Sequence, residues 1–68
     1  MFTYFGREEN VYVKDGNSFH KYIFIKDENK HVFYVLFDKE LDLTQDKEYK
    51  LTYIDNILLE LENSNEKD

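Results

Sequence analysis

Residues 18–37 read SFHKYIFIKDENKHVFYVLF, and this stretch decides how the chain folds. Two runs rich in Val, Ile, Phe and Tyr flank a polar segment at residues 27–30, as expected for two β-strands joined by a turn. One register keeps the residues of each face together: Ile25 pairs with Val32, Phe24 with Phe33 and Ile23 with Tyr34. The stretch therefore predicts an antiparallel hairpin at the centre of a β-sheet.

Both faces of this sheet are apolar. Because alternate residues of a strand point to opposite faces, one face, which we call the aromatic face, is predicted to carry Tyr12, His20, Tyr22, Phe24, Phe33, Val35 and Phe37. The other face is predicted to carry Val11, Val13, Phe19, Ile23, Ile25, Val32, Tyr34 and Leu36. One small core cannot easily cover both faces, so the pattern indicates a closed barrel, an oligomer or a partner docked on the aromatic face.

The turn Asp15-Gly16-Asn17 joins this stretch to a shorter apolar run before it. Two registers are open. A two-residue turn at Asp15-Gly16 would mix the two faces, whereas a three-residue loop would pair Val13 with Phe19 and keep the faces apart. Since a slip of one residue exchanges the faces of a strand, we favour the three-residue loop, which places Tyr12 on the aromatic face.

The C-terminal third predicts a second hairpin. Residues 48–54 alternate between apolar and polar side chains, as a strand with one exposed face does. After the turn Asp55-Asn56, residues 57–62 fit either a strand or a short helix. We favour the strand, because a bulged loop then matches apolar residues across the hairpin. The matched pairs are Leu51 with Leu61 and Tyr53 with Leu59.

Five to six short strands with tight turns predict an all-β domain, namely a small antiparallel curved sheet or a partly open barrel. Leu41 and Leu43, in the polar segment 38–47, are predicted to cap an open end of the barrel or to form a short strand. In length and strand count the domain resembles oligonucleotide-binding and SH3-like barrels, although no motif of either family occurs in it. We expect one domain over residues 1–62 and a disordered polar tail over 63–68.

The composition excludes several classes of site. The chain has no Cys and two His among its 68 residues, so it cannot form disulfides or a Cys-based zinc site. Its net charge of −6 disfavours affinity based on neutralising many phosphates. No apolar stretch reaches the roughly 20 residues of a membrane span, and we expect a cytoplasmic protein. Abundant Lys, Asn and Ile without Ala or Pro favour an AT-rich genome, and with it a phage, plasmid or prophage origin.

The aromatic face is the best candidate for a binding surface. Rings on a sheet face with lysines at the rim can stack and steer single-stranded nucleic acid, and an exposed apolar face also suits a protein partner. The candidate binding residues are Tyr12, His20, Tyr22, Phe24, Phe33 and Phe37, with Lys14, Lys26 and Lys30 as the rim. The alternative is that these rings fill a barrel, which we favour because a short chain needs most of its large side chains in the core.

The sequence indicates no catalytic, metal or cofactor site. His20 and His31 are predicted near opposite ends of their strands, so they do not converge on a metal ion. The carboxylate-rich stretches lie in loops, without the burial that would shift a pKa for catalysis. We therefore expect a small acidic, non-enzymatic module that binds a protein partner or itself, as an accessory or inhibitory protein of a mobile element. The alternative is a small barrel that binds single-stranded nucleic acid, which the net charge disfavours.

Overall fold

The computed structural model describes residues 1–63, which form six β-strands and contain no helix. The strands are β1 (Phe2–Arg7), β2 (Tyr12–Lys14), β3 (Asn17–Lys26), β4 (Val32–Phe37), β5 (Glu48–Ile54) and β6 (Ile57–Asn63). The prediction of an all-β domain is confirmed, and so is the choice of a strand over a helix for β6. β1 is an addition, because no element was predicted there. Within the described residues, no helix has the length and apolar character needed to cross a membrane.

The last strand reaches slightly beyond the predicted domain. Asn63, predicted to begin the polar tail, is instead the final residue of β6 and pairs with Tyr49 of β5. The rest of the predicted tail, residues 64–68, lies outside the described residues.

Five of the strands close into a barrel. Around the ring the order is β1, β5, β6, β4 and β3, and β3 pairs with β1 to complete it. β2 lies outside the ring, where it extends β3 as a hairpin. The barrel is thus closed rather than partly open, and one of its pairings, between β4 and β6, is parallel. The central hairpin of β3 and β4 has the predicted register.

The turn between β5 and β6 closes the barrel against β4. Asp55 and Asn56 have positive φ angles of 53° and 67°, which is the backbone of a type I′ turn. The Asn56 side chain donates from Nδ2 to the Tyr34 carbonyl at 2.8 Å, and the Asn56 carbonyl accepts from the Leu36 amide at 2.7 Å. Asn56 therefore ties the last hairpin to β4.

With the exception of Tyr12, the aromatic face lines the interior of the barrel. Tyr22 and Phe24 are completely buried, and Phe33 and Phe37 pack against the same core. Several of the rings meet edge to face, for example Phe24 against Tyr49 with 6.4 Å between centroids and 82° between planes, an arrangement that aromatic pairs prefer. Of the two explanations for the aromatic face, the structure supports the barrel core.

Residues 38–47 cap the barrel without forming a strand. Leu41 and Leu43 pack against the core. The buried Tyr22 hydroxyl donates to the Lys39 carbonyl at 3.0 Å and accepts from the Leu41 amide at 2.8 Å. Of the two roles predicted for these leucines, the cap is the observed one.

The first hairpin has the register that the sequence analysis disfavoured. Tyr12 pairs with Phe19, so Asp15 and Gly16 form a two-residue turn. Their φ angles of 53° and 79° define a type I′ turn, for which Asp-Gly is a strongly preferred sequence. The predicted three-residue loop is therefore wrong, because turn chemistry outweighed the matching of faces. Tyr12 consequently lies with Phe19 on the outer side of the sheet.

A β-bulge interrupts the last hairpin. The pairs around it are Tyr53 with Leu58, Thr52 with Glu60 and Leu51 with Leu61. Leu59 is thus an extra residue without a partner across the hairpin. The predicted pair of Leu51 with Leu61 is confirmed, whereas the predicted pair of Tyr53 with Leu59 is wrong because the bulge lies within β6 and not in the turn.

Candidate functional site

The six residues predicted to bind through the aromatic face do not form one exposed surface. Four of them line or adjoin the barrel core, namely Tyr22, Phe24, Phe33 and Phe37. His20 is half-buried, and its ring centroid lies 6.4 Å from that of Tyr22. Tyr12 is 39% exposed and lies on the other side of the sheet. Five of the six residues therefore share the inner side of the sheet, and Tyr12 alone lies on the outer side.

The three lysines predicted to form a rim lie at opposite ends of β3. Lys14 is at one end, and Lys26 and Lys30 are together at the other, where the Lys30 amide donates to the Lys26 carbonyl at 2.7 Å. Lys14 precedes the turn at the start of β3, whereas Lys26 ends β3 and lies 5.2 Å from the centroid of the Phe33 ring. Lys30 lies in the next turn, with a φ angle of 62°. β3 has 10 residues, and a strand of that length spans about 30 Å. The three lysines therefore do not frame a single surface.

The outer side of β3 and β4 carries a second apolar surface. Its residues are members of the predicted second face: Phe19, Ile23, Tyr34 and Leu36. Leu36 is only 1% exposed although it is not part of the core cluster, so its neighbours on the outer side must cover it. Lys21 lies 4.5 Å from the Tyr34 ring centroid and 3.7 Å from the Glu8 carboxylate. The barrel thus has ordered apolar packing outside its core.

A cleft of about 440 Å³, which we call the outer cleft, opens on this side of the barrel. It is lined by Lys14, Asp15, Asn17 and Phe19 from the first hairpin and by Ile54, Asp55, Ile57 and Leu59 from the last hairpin. These two hairpins are distant in the sequence. They meet because β4 lies between β3 and β6 in the closed ring.

Ile54 and Leu59 are the most exposed apolar residues of the outer cleft. Their exposed fractions are 62% and 54%. Ile54 ends β5 directly before the type I′ turn, and Leu59 is the bulge residue of β6. Bulges re-aim side chains and are frequent beside functional sites. The end of β5 and the bulge of β6 therefore hold these two side chains at the cleft.

Two carboxylates and one ammonium group line the outer cleft. Asp15 and Asp55 each occupy the first central position of a type I′ turn, both with a φ angle of 53°. Within the described part of the chain, neither carboxylate makes an ion pair or a side-chain hydrogen bond. Lys14 is the only cation among the described residues of the lining. The outer cleft is therefore apolar at its centre and weakly acidic at its rim.

A second concavity, of about 460 Å³, lies where residues 38–47 meet β1. Arg7 and Glu40 form an exposed ion pair there, with 3.6 Å between nitrogen and oxygen. Burial raises the pKa of the Tyr4 hydroxyl, and the neighbouring Tyr22 hydroxyl raises it further. A phenol that is harder to ionise is a poor general base at neutral pH.

The described residues do not form a metal site. Across residues 1–63, no three His, Asp or Glu side chains are grouped so that they could hold a metal ion. His20 pairs with Phe37 at the end of β4, and His31 directly precedes the start of β4. The two histidines therefore lie at opposite ends of the central hairpin.

Comparisons with protein-family models, curated protein sequences and solved structures found no match to this chain.

Sequence reasoning missed most of the outer cleft. The available signals were the dipeptides Asp15-Gly16 and Asp55-Asn56, which between apolar runs favour two-residue type I′ turns. Reading the first turn in this way would have placed Tyr12 on the outer side. No local pattern shows that the two turns converge, because their meeting depends on the pairing of β4 with β6.

Proposed function

We propose that the protein is a non-enzymatic binding module that holds a segment of a protein partner in the outer cleft. The observation that carries the proposal is the exposure of Ile54 and Leu59 beside the less exposed Phe19 and Ile57. Large apolar side chains clustered at a concave surface are typical of interaction sites. The volume of about 440 Å³ lies within the range of pockets that bind ligands.

The proposal moves the binding surface from the aromatic face to the opposite side of the sheet. The aromatic rings on the inner side of the sheet pack in the barrel core. A partner therefore has no access to Tyr22 or Phe24, which have no exposed area. The opposite side of the same strands, the outer side, faces away from the core. It is this side, together with the two type I′ turns, that supports partner binding.

The expected role as an accessory or inhibitory protein of a mobile element is part of the proposal. Its support is the composition alone, namely a short acidic chain without Ala or Pro. Occupying a surface of another protein is the activity that the outer cleft would supply for this role.

A second candidate function is the binding of single-stranded nucleic acid. The strand order favours it, since it resembles the five-stranded Greek-key plan of oligonucleotide-binding barrels, whose ligands contact the second and third strands and two flanking loops. In this barrel those strands are β3 and β4, and Tyr12 and Tyr34 offer rings for stacking. We rank it second because Asp15 and Asp55 line the outer cleft and Lys21 is engaged with Glu8.

A phage-displayed library of random peptides tests the proposal. The wild-type protein is the bait, and the double variant Ile54→Ser/Leu59→Ser is the counter-bait. Both positions are more than half exposed, so the substitutions leave the core intact, which thermal unfolding verifies. Val32→Ser is the matched control, because Val32 is 70% exposed and lies outside the outer cleft.

We expect peptides that bind the wild type and the Val32→Ser variant, with about tenfold or greater loss of affinity for the double variant, since each truncation removes roughly 1 kcal/mol of apolar contact. Failure to select any peptide with this dependence would overturn the proposal. Labelled oligothymidine at low salt tests the second candidate, and its cleft-dependent binding would select that function. Light scattering over a concentration series shows whether a second copy of the chain occupies the cleft instead.

A further inference from the structure

We infer that the partner segment carries a bulky apolar side chain directly beside a Lys or Arg, and that Asp15 and Asp55 pair with this basic residue at the rim of the outer cleft. The inference rests on the proposed function and adds the chemistry of the partner. It follows from the positions of the two carboxylates, from their lack of partners and from the apolar residues next to them.

The turns fix the backbone positions of both aspartates. Asp15 and Asp55 have the same φ angle of 53° in two-residue turns, and each turn is closed by a strand pair. These pairs are Lys14 with Asn17 and Ile54 with Ile57. A group on a fixed turn loses less conformational freedom on binding than one on a mobile loop. The acidic rim is therefore preorganised for a cation.

The chain does not neutralise this rim by itself. Lys14 is the only cation among the described residues of the lining, against two carboxylates. Lys21, on the same side of the sheet, is engaged with Glu8 at 3.7 Å and with the Tyr34 ring. The net charge of the chain, −6, adds a long-range attraction for a basic segment.

The apolar and acidic parts of the outer cleft are adjacent, because Ile54 and Asp55 both line it. Asp55 directly follows Ile54 in the chain, so a side chain that packs on Ile54 has a carboxylate next to it. Lys and Arg suit this position, because their methylene stems lie along apolar surface while their charge stays at the rim. A phosphate backbone would meet the same carboxylates and be repelled.

The peptides selected with the library provide the test. The strongest binders are synthesised with a fluorescent label, and fluorescence anisotropy measures their affinity for Asp15→Asn, Asp55→Asn and the double variant. Asn also tolerates positive φ, so each substitution removes a charge and keeps the turn. Asp46→Asn is the matched control, since Asp46 is exposed, has a φ angle of 70° and lies outside the outer cleft.

We expect Lys or Arg to be enriched beside a large apolar residue in the selected peptides. Each single substitution in the cleft should weaken binding about two- to fivefold, as exposed ion pairs do, and Asp46→Asn should leave the affinity unchanged. Peptides that need Ile54 and Leu59 but lack a basic residue, or that bind the double Asn variant as tightly as the wild type, overturn the inference and leave the proposed function standing. Absence of any cleft-dependent peptide overturns both.

Discussion

The Tyr22 hydroxyl joins the barrel core to the segment that caps it. The ring is fully buried, and its oxygen bridges the Lys39 carbonyl and the Leu41 amide. A polar group is tolerated inside an apolar core when its hydrogen-bonding capacity is satisfied. Tyr22 thus belongs to the core through its ring and to the cap through its hydroxyl.

Replacing Tyr22 with Phe is expected to lower the free energy of unfolding by about 1–2 kcal/mol, because two backbone groups lose a partly buried partner. Urea unfolding followed by circular dichroism measures the change. Tyr34→Phe is the control, since the Tyr34 carbonyl accepts a hydrogen bond but its hydroxyl makes none in the described structure. Equal losses in the two variants would contradict this account of Tyr22.

The Tyr4 phenol makes the free energy of unfolding depend on pH in the alkaline range. Burial raises its pKa above the ordinary value, and Tyr22 and Tyr49 add to this effect against the opposing charge of Arg7. The folded state therefore holds the proton more tightly than the unfolded state. Its stabilising contribution is complete below the unfolded pKa of about 10 and is lost as the pH rises through the raised folded pKa.

We expect the free energy of unfolding to fall above about pH 10 and to fall less steeply in the Tyr4→Phe variant. Urea unfolding at a series of alkaline pH values provides the two curves. The comparison depends on the difference between the two curves. Parallel curves would show that Tyr4 makes no contribution.

Two-residue turns decide which side chains the first and last hairpins expose. A type I′ turn has a backbone twist that matches the twist of its flanking strands, and it fixes the register, since a slip of one residue would exchange the faces. In the first hairpin this places Tyr12 beside Phe19 on the outer side. Matching of faces did not predict this, because β2 lies outside the ring and neither of its sides has to enter the core.

Replacing Gly16 with Ala should destabilise the protein by about 1 kcal/mol, because its φ angle of 79° strains residues that carry a side chain. No atom lies within 4 Å of the added Cβ, so the backbone alone causes the loss. Gly6→Ala is the matched control, since its Cβ also meets open space and its φ angle is not in the left-handed region. Urea unfolding compares the two, and a similar loss at both positions would refute the argument.

Net repulsion dominates the electrostatics of the whole molecule. The chain carries a charge of −6, and each segment between consecutive strands contains at least one Asp or Glu. Between described residues there are two ion pairs, Arg7 with Glu40 and Lys21 with Glu8, at 3.6 and 3.7 Å. Such exposed pairs stabilise a protein by only about 0–1 kcal/mol, so they do not offset the repulsion.

The free energy of unfolding should therefore rise when salt is increased from about 0.01 M to about 0.15 M, as the Debye length falls from about 30 Å to about 8 Å. Urea unfolding at constant pH measures this. A double variant, Asp38→Asn/Asp46→Asn, has a smaller net charge and should show a smaller rise. A fall in stability with salt would mean that the ion pairs outweigh the repulsion.

The presence of β2 to β6, the register of the central hairpin and the apolar character of both its sides follow from the residues alone, whereas β1 was not predicted. They depend on period-two alternation and on polar turns, which are properties of neighbouring residues. The burial of the aromatic rings was also favoured in advance, because their volume is needed to fill a small core. The position of the bulge at Leu59 and the length of the first turn were predicted wrongly, because each depends on a competition between local turn geometry and pairing across strands.

The closure of the barrel and the position of the outer cleft depend on the tertiary structure and do not follow from any local pattern. Closure depends on β1 pairing with β3 and on β4 pairing with β6, contacts between residues far apart in the chain. A twisted sheet that closes must place one face inside. Here the bulky rings of the aromatic face fill the interior, and the opposite face remains outside. The same closure brings Asp15 and Asp55 to one cleft, which no pattern of neighbouring residues encodes.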